Sequence, residues 1–488
     1  MLKLLEECFA VVMLAYLSGG ITGFWAGDSP FNLWRLQDNP LLLGIQMVMY
    51  GVTLSFIVLH WRKFTSGVRA GGWVLALALL ALASTLWSSD PPFTLRRSLV
   101  VIATTGFGIY FGSRYEPRRQ VRLLACTFVL LAVLSAGCAL LLPQYGVDNQ
   151  LHPGDWHGIF GQKNLLGKAM AVALIVLWSA KGAMPDLLRM AGLSLCAALM
   201  MMSGSRVAPV VCAALLLLVP THRILRARIT AMVPLAIVSL AMVAGAVFFI
   251  ARNSSLLLAF LTRDATLTRR TEIWRAVWAA ISNHVALGYG FSGFWAGVHG
   301  ESATVAGVLR FAARHAHNGF LDLWLELGIV GLVLFSMGYL RALGDGVALL
   351  RMSPDRLATW PLQYLGFMLL YHLAEGPILR QNSIYWALYV AVVVAAALAV
   401  RIGSNRAAHA GVLLERLQKK SDYLSRRTVG RFGNLYPATS RSAARFPSGL
   451  RGTALHRWPT GACPTPRITG LWLPEPRALF GLQAARAE

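Results

Sequence analysis

Charge is the first scarcity. Of 488 residues only 14% are Asp, Glu, Lys or Arg, while 56% are hydrophobic and the mean hydropathy is +0.57. That balance excludes a water-soluble protein of several domains and places most of the chain in lipid. Cysteine is scarce too: Cys8, Cys126, Cys138, Cys196, Cys212 and Cys463 are scattered, all but the last in apolar runs. Neither a CxxC metal site nor a disulfide framework follows from that spacing, and small packed residues within helices are expected instead. No alternating ten-residue pattern points to a membrane barrel, so helices are left to satisfy the backbone polar groups in lipid. A GxxxxGK[ST] phosphate loop and a DxD metal-diphosphate sequence are both missing. Direct use of nucleotide energy is therefore not expected, and a preactivated donor fits better.

What is present is a succession of apolar runs, each near the roughly 20 residues that cross a bilayer as a helix. The spans expected are Leu4–Ile21, Leu41–Leu59, Trp73–Trp87, Leu99–Phe111, Leu123–Leu142, Leu165–Trp178, Leu187–Met202, Val207–Val219, Ile229–Ile250, Phe320–Leu340, Leu362–Leu373 and Ile384–Val400. The fold class is thus an all-α polytopic membrane protein of about twelve helices, the first of them retained rather than cleaved as a signal. The formal charge of +24 is mostly topology. With a cytoplasmic N-terminus, every inside loop carries Lys or Arg, as the positive-inside rule requires, and both termini are expected in the cytoplasm.

The membrane domain is expected over 1–402, with a large outer loop at 251–318. In that loop "RRTEIWRAVWAAI" predicts an amphipathic helix with Trp274, Val277, Trp278 and Ile281 on one face, and "LGYGFSGFWAG" predicts a packed turn. Residues 403–488 form a basic, Arg- and Pro-rich tail, in which residues 405–488 hold 14 Lys and Arg against 4 Asp and Glu. Disorder, or a surface helix beside anionic lipid, is expected for it. Nucleic acid is not expected as a partner, because topology already explains the arginines.

Several polar residues are not explained by topology. Arg206, in "SGSR", interrupts two helices on the side where basic residues are disfavoured; the alternative is an arginine snorkelling to headgroups. Arg269 and Arg270 open the loop helix, where a headgroup contact is the competing role. His317 precedes Asn318, Asp322 and Glu326, whose i, i+4, i+8 spacing draws a polar stripe along one helix face. Gly328 and Gly331 follow and predict close helix contact in the membrane. "HAH" lacks further ligands at metal spacing, so no metal is assigned. Lys163 and Asn164 lie where a loop enters a helix, a place that favours phosphate, though a cap and a headgroup lysine fit equally. Glu375 is a candidate partner of an arginine or an alternative base, with Arg380 nearby. Collected on one face, two arginines and a histidine suit a phosphorylated substrate delivered from lipid. Guanidinium binds phosphate through a planar fork, and neutral imidazole can take a proton from a hydroxyl.

Those residues carry a resemblance. "HNGFLDLWLELGIVG", "RRTEIWRAVW", "HVALGYGFSGFW", "GIFGQKNLLGKAMA" and "SGSR" resemble, in order and approximate spacing, the O-antigen ligase and polysaccharide polymerase superfamily, and most of all its bacterial exopolysaccharide production branch. The likeness covers about 156–386. It implies some twelve helices with a large periplasmic loop, resembling glycosyltransferases of the lipid-donor (GT-C) class. It also implies a metal-independent, inverting transfer of an oligosaccharide from undecaprenyl diphosphate to an acceptor sugar hydroxyl at the periplasmic face of the bacterial inner membrane. His317 would then act as base or orient the hydroxyl, and Arg206 and Arg270 would hold the diphosphate. Many relatives are expected to have Gly at the position of Arg269, and the following "TEIW" favours Arg270 over it. The expected function is an exopolysaccharide polymerase without cofactor, acting with the lipid-linked donor, an acceptor glycan, the bilayer and other polysaccharide assembly and export proteins. The alternatives are a ligase transferring glycan to lipid A core or protein, a flippase for the same lipid-linked sugars, and a structural partner of the assembly machinery.

Overall fold

The computed structural model describes residues 1–20, 39–149, 152–216, 230, 234, 266–295, 301–302, 315–353 and 355–432. The described residues are almost wholly helical. Among the described residues four helices are long and apolar enough to cross a membrane: Pro40–Leu59, Pro117–Leu141, Gly319–Met352 and, within the last long helix, Ile384–Asn405. A fifth span results if Trp61–Ala70 and Gly72–Leu86, bent by 87° at Gly71, are taken together. Pro40–Leu59 is only 11% buried although its outer surface carries Met47, Val48, Leu54 and Val58. Water would make such a face costly, and lipid removes the cost. The chain is therefore a multi-pass helical membrane protein. The other expected spans overlap shorter or more polar helices, and Ile229–Ile250, except for Thr230 and Pro234, lies outside the described residues, as does 251–265.

Helix starts follow local chemistry. Asn39 Oδ1 accepts from Leu41 N at 2.9 Å ahead of Pro40, and Asp90 Oδ1 accepts from Phe93 N at 3.2 Å ahead of Pro91 and Pro92. Each is a capping side chain followed by proline, which has no N–H to leave unpaired. In the core, Pro91–Arg114 packs against Ile384–Phe432 through small residues. A Cβ on Gly108 would lie 2.7 Å from Val390 Cβ, and one on Gly112 would lie 2.7 Å from the Ala391 carbonyl oxygen. Backbones approach this closely only where side chains are absent.

Two expectations change. The long helix Gly319–Met352 breaks at Gly328, whose φ of 66° and ψ of −171° are open essentially to glycine alone. The groups freed at the break are taken up by the loop ahead of it: Tyr289 N donates to Leu325 O at 3.0 Å, and Ile329 N to Val285 O at 2.9 Å. A side chain at 328 would collide with the Ala286 carbonyl. Gly328 thus admits a loop backbone, not a neighbouring helix. The loop helix, Thr266–Asn283, is also rotated from expectation. Its buried residues are Ile273, Val277 and Ile281, whereas Trp274 and Trp278 are exposed at the edges. Trp274 Nε1 donates to Ala316 O at 2.8 Å, so the indole N–H finds a partner at the margin.

Tyr289, Phe291, Phe294 and Trp295 are buried, as the glycine-aromatic turn predicts. Residues Met1–Glu415 form one compact unit and Arg416–Glu488 a second. The tail boundary expected after 402 falls inside the helix Ile384–Phe432, and residues 433–488 lie outside the described residues.

Candidate functional site

The site grows from the C-terminal end of the helix Trp360–Ala374. The last carbonyls of a helix have no intrahelical partner. Here Arg270 Nη1 donates to Ala374 O at 2.9 Å and Asn318 Nδ2 donates to Leu373 O at 3.3 Å. One helix end therefore draws together the loop helix and the start of Gly319–Met352. The next residue, Glu375, bridges the two: its Oε1 accepts from Arg270 Nη2 at 2.9 Å, and its Oε2 lies 3.5 Å from His317 Nδ1. At 3.5 Å the second contact is an ion-pair distance, and Nδ1 is left without a hydrogen bond.

His317 is held in an uncommon conformation, with φ of 51°. Left-handed backbone costs a residue that carries a Cβ about 1–2 kcal/mol and persists where neighbours enforce it. The enforcing contacts are on both sides. Its N–H donates to His315 Nδ1 at 3.1 Å, and Asn318 Oδ1 accepts from Phe320 N and Leu321 N, capping the helix that follows. Burial, with the charges of His317, Arg380 and Arg270, pushes His315 down to about 3. A neutral ring is what the accepting role of Nδ1 requires. For Glu375, burial raises the carboxyl, but His317 and Arg270 outweigh it and hold the group below its ordinary value.

The carboxylate stripe turns out to be scaffolding. Asp322 is buried, and its Oδ1 accepts from Ala316 N at 2.8 Å and from Trp295 Nε1 at 3.0 Å. It thereby fixes the "HAH" turn against the aromatic turn. Glu326 is buried one turn on and takes a backbone hydrogen bond from Ser292, within electrostatic reach of Arg97.

Arg206 belongs to a neighbouring corner. It is exposed, between Asp186–Met202 and Val207–Leu216. Behind it, Gly167 packs on the turn so closely that a Cβ would lie 2.6 Å from Ser205 Cβ, and Gly204 leaves room for the Asp155 carboxylate. That carboxylate pairs with Lys163 Nζ at 2.8 Å. Lys163 is thus already neutralised, and Asn164 is no cap, since the capping position is Gln162. The Asn164 carbonyl accepts from Tyr371 OH at 3.4 Å, which links this corner to the helix carrying Glu375. Arg269 lies on the loop helix, with its side chain outside the described residues.

Arg380 is exposed to solvent, yet the protein packed around it lowers its guanidinium below the ordinary value. Its loop is anchored by Asn382, which accepts from Tyr50 OH at 2.7 Å and donates to Gln46 Oε1 at 2.7 Å. Lys168 was not singled out by sequence. Buried in the second turn of Lys163–Ser179, it points its ammonium at the rings of Tyr385 and Tyr371. A lysine inside the apolar run "LLGKAMAVAL" was the available signal. Among the described residues no group of three or more His, Cys, Asp or Glu is placed to hold a metal ion.

Comparison with known proteins matches residues 191–336 to a family model described as O-antigen ligase (Wzy_C), a range that contains Arg206, Arg270 and His317. The chain is also 23% identical over 303 residues to the exopolysaccharide production protein ExoQ of Rhizobium meliloti (strain 1021), covering 60% of this chain and 68% of that protein.

Proposed function

We propose that this chain, similar over part of its length to the O-antigen ligase family and to an exopolysaccharide production protein, acts in polysaccharide synthesis at the membrane as an exopolysaccharide polymerase. It moves oligosaccharide repeat units from undecaprenyl diphosphate onto a sugar hydroxyl of the growing chain. The supporting observation is the contact chain Arg270–Glu375–His317, which sets a guanidinium and an imidazole on the two oxygens of one carboxylate.

In the proposed reaction the acceptor hydroxyl oxygen attacks the anomeric carbon of the donor. The bond from that carbon to the diphosphate oxygen breaks, and undecaprenyl diphosphate leaves with the electron pair. The hydroxyl proton passes to His317. Glu375 faces Nδ1 and favours a proton there, which frees the Nε2 lone pair to accept. Charge developing on the leaving diphosphate is met by Arg270 and Arg206. Among the described residues Arg270 spends two of its five N–H donors on protein, which leaves the rest of its fork for phosphate in the proposed reaction. No metal is assigned a part. The reading carries the rest of the topology with it: about twelve spans, termini in the cytoplasm, and the site on the periplasmic face of the inner membrane.

His317→Ala, Arg206→Ala and Arg270→Ala test it in cells, scored for polymer and for accumulated lipid-linked repeat at normal protein level. Polymer is expected to be lost nearly completely in at least two, His317→Ala among them, with repeat unit accumulating. Unchanged polymer in all three would leave a structural partner, and transfer retained with crossing blocked would leave a flippase. The family described as O-antigen ligase keeps a second reading open, in which the acceptor is lipid A core. A product ladder without added acceptor marks a polymerase, and a single core-dependent transfer marks a ligase.

A further inference from the structure

Among the described residues Lys168 is a buried lysine without a counterion of its own. Its side chain is 7% exposed, and Nζ lies 3.9 Å from the centroid of the Tyr385 ring and 4.6 Å from that of Tyr371. Among the described residues it makes no hydrogen bond or ion pair. Cation–π contacts return about 2 kcal/mol when desolvated, whereas enclosing an ion costs several kcal/mol, so the rings alone do not balance the burial. Arg380 deepens the deficit: it is near enough for the two charges to repel, and it too has no carboxylate partner among the described residues. Glu375 is near enough to attract Lys168, but its two oxygens already face Arg270 and His317. Lys168 thus shares its nearest carboxylate with Arg270 and has a second guanidinium, that of Arg380, as a neighbour. At the end of a membrane bundle such a surplus is expected to mark a substrate path, with the missing negative charge arriving on the ligand.

We propose that Lys168 and Arg380 form an oxyanion subsite beside the reaction centre, which takes a phosphate or carboxylate group of the substrate. The proposal rests on the reading of this site as one for a lipid-linked glycan. Two groups could supply the anion: the diphosphate of the donor, or an acidic sugar of the repeat. Tyr371 and Tyr385 orient the ammonium by their ring faces, and Arg380, near enough to repel it, offers a planar fork to the same anion.

The test uses the full chain in lipid nanodiscs, with inorganic pyrophosphate and glucuronate as separate probes, measured by calorimetric affinity and by thermal shift. Lys168→Met keeps the stem that packs between the rings, and Arg380→Gln removes the second charge. For the anion that fits, both variants are expected to bind about tenfold or more weaker than wild type. Lys168→Met without ligand should melt no lower than wild type, because it sheds a buried, uncompensated charge. Loss confined to pyrophosphate identifies the donor phosphate; loss confined to glucuronate identifies an acidic sugar. The proposal is overturned if neither probe binds wild type, or if the variants bind within about twofold of it. It is overturned equally if Lys168→Met melts lower with affinity intact, which would make the lysine a packing element. His317→Ala separates this from the proposed reaction: probe binding should persist in it while polymer is lost. Polymer retained there would sink the reaction and leave the subsite standing.

Discussion

At the scale of single residues, Glu375 does the joining, because its two oxygens are the only feature seen to tie Arg270 to His317 among the described residues. Its carboxyl is held below the ordinary value of 4.5. A group with a depressed folded value adds stability above its unfolded value and loses it as pH falls through the folded one. Glu375→Gln is therefore expected to melt below wild type at pH 7, with the gap closing as pH falls below the ordinary carboxyl value and on through the lower folded one, where wild type also loses the charge. A gap that stays constant with pH would remove the ion pair from the account. Asn318 belongs to the same scale. It caps one helix and ties off another, so Asn318→Ala is expected to cost about 1 kcal/mol or somewhat more in denaturant unfolding.

At the scale of elements, the break at Gly328 positions the site by letting the loop 285–289 lie across the helix that begins at Asn318. Gly328→Ala meets both a glycine-only backbone region and the Ala286 carbonyl. It is expected to destabilise the fold by about 3 kcal/mol and to lower polymer formation through loss of folded protein, measurable as reduced membrane level and melting temperature. Gly331→Ala, inside the regular part of the helix, is expected to lose less. Sequence marked both glycines but could not tell them apart, since glycine serves close helix contact and backbone breaks alike. The helix positions that fall among the described residues were legible because apolar runs of bilayer length have few other uses. The face of Thr266–Asn283 was misread by one residue because Trp274 and Trp278 look like core, whereas their indoles sit at its edge. Lys168 stayed hidden because a lone lysine in an apolar run looks like a snorkelling side chain. Only the fold shows that it turns inward toward aromatic rings. The partnership of Glu375 with an arginine was foreseeable as a possibility in the chain, but its simultaneous contact with His317 depends on a helix end that pattern does not locate.

At the scale of the whole molecule, the proposed topology puts the loops bearing Gln162, Arg206 and Glu375 on one side and the basic loops on the other. In a chain freed of its six cysteines, Gln162→Cys is expected to react with a membrane-impermeant thiol reagent from the periplasmic side. Glu116→Cys is expected to react only after permeabilisation. Both positions are exposed, so the reverse pattern would invert the bundle and place the site on the wrong face for the proposed donor. The most direct measurement is the rate at which purified protein in a bilayer elongates a defined undecaprenyl-diphosphate oligosaccharide, wild type against His317→Ala. The account predicts a product ladder from wild type and a fall of about 100-fold to 10,000-fold in His317→Ala, the range a general base commands, with donor still bound. Elongation by His317→Ala within about twofold of wild type, far inside that range, would contradict it.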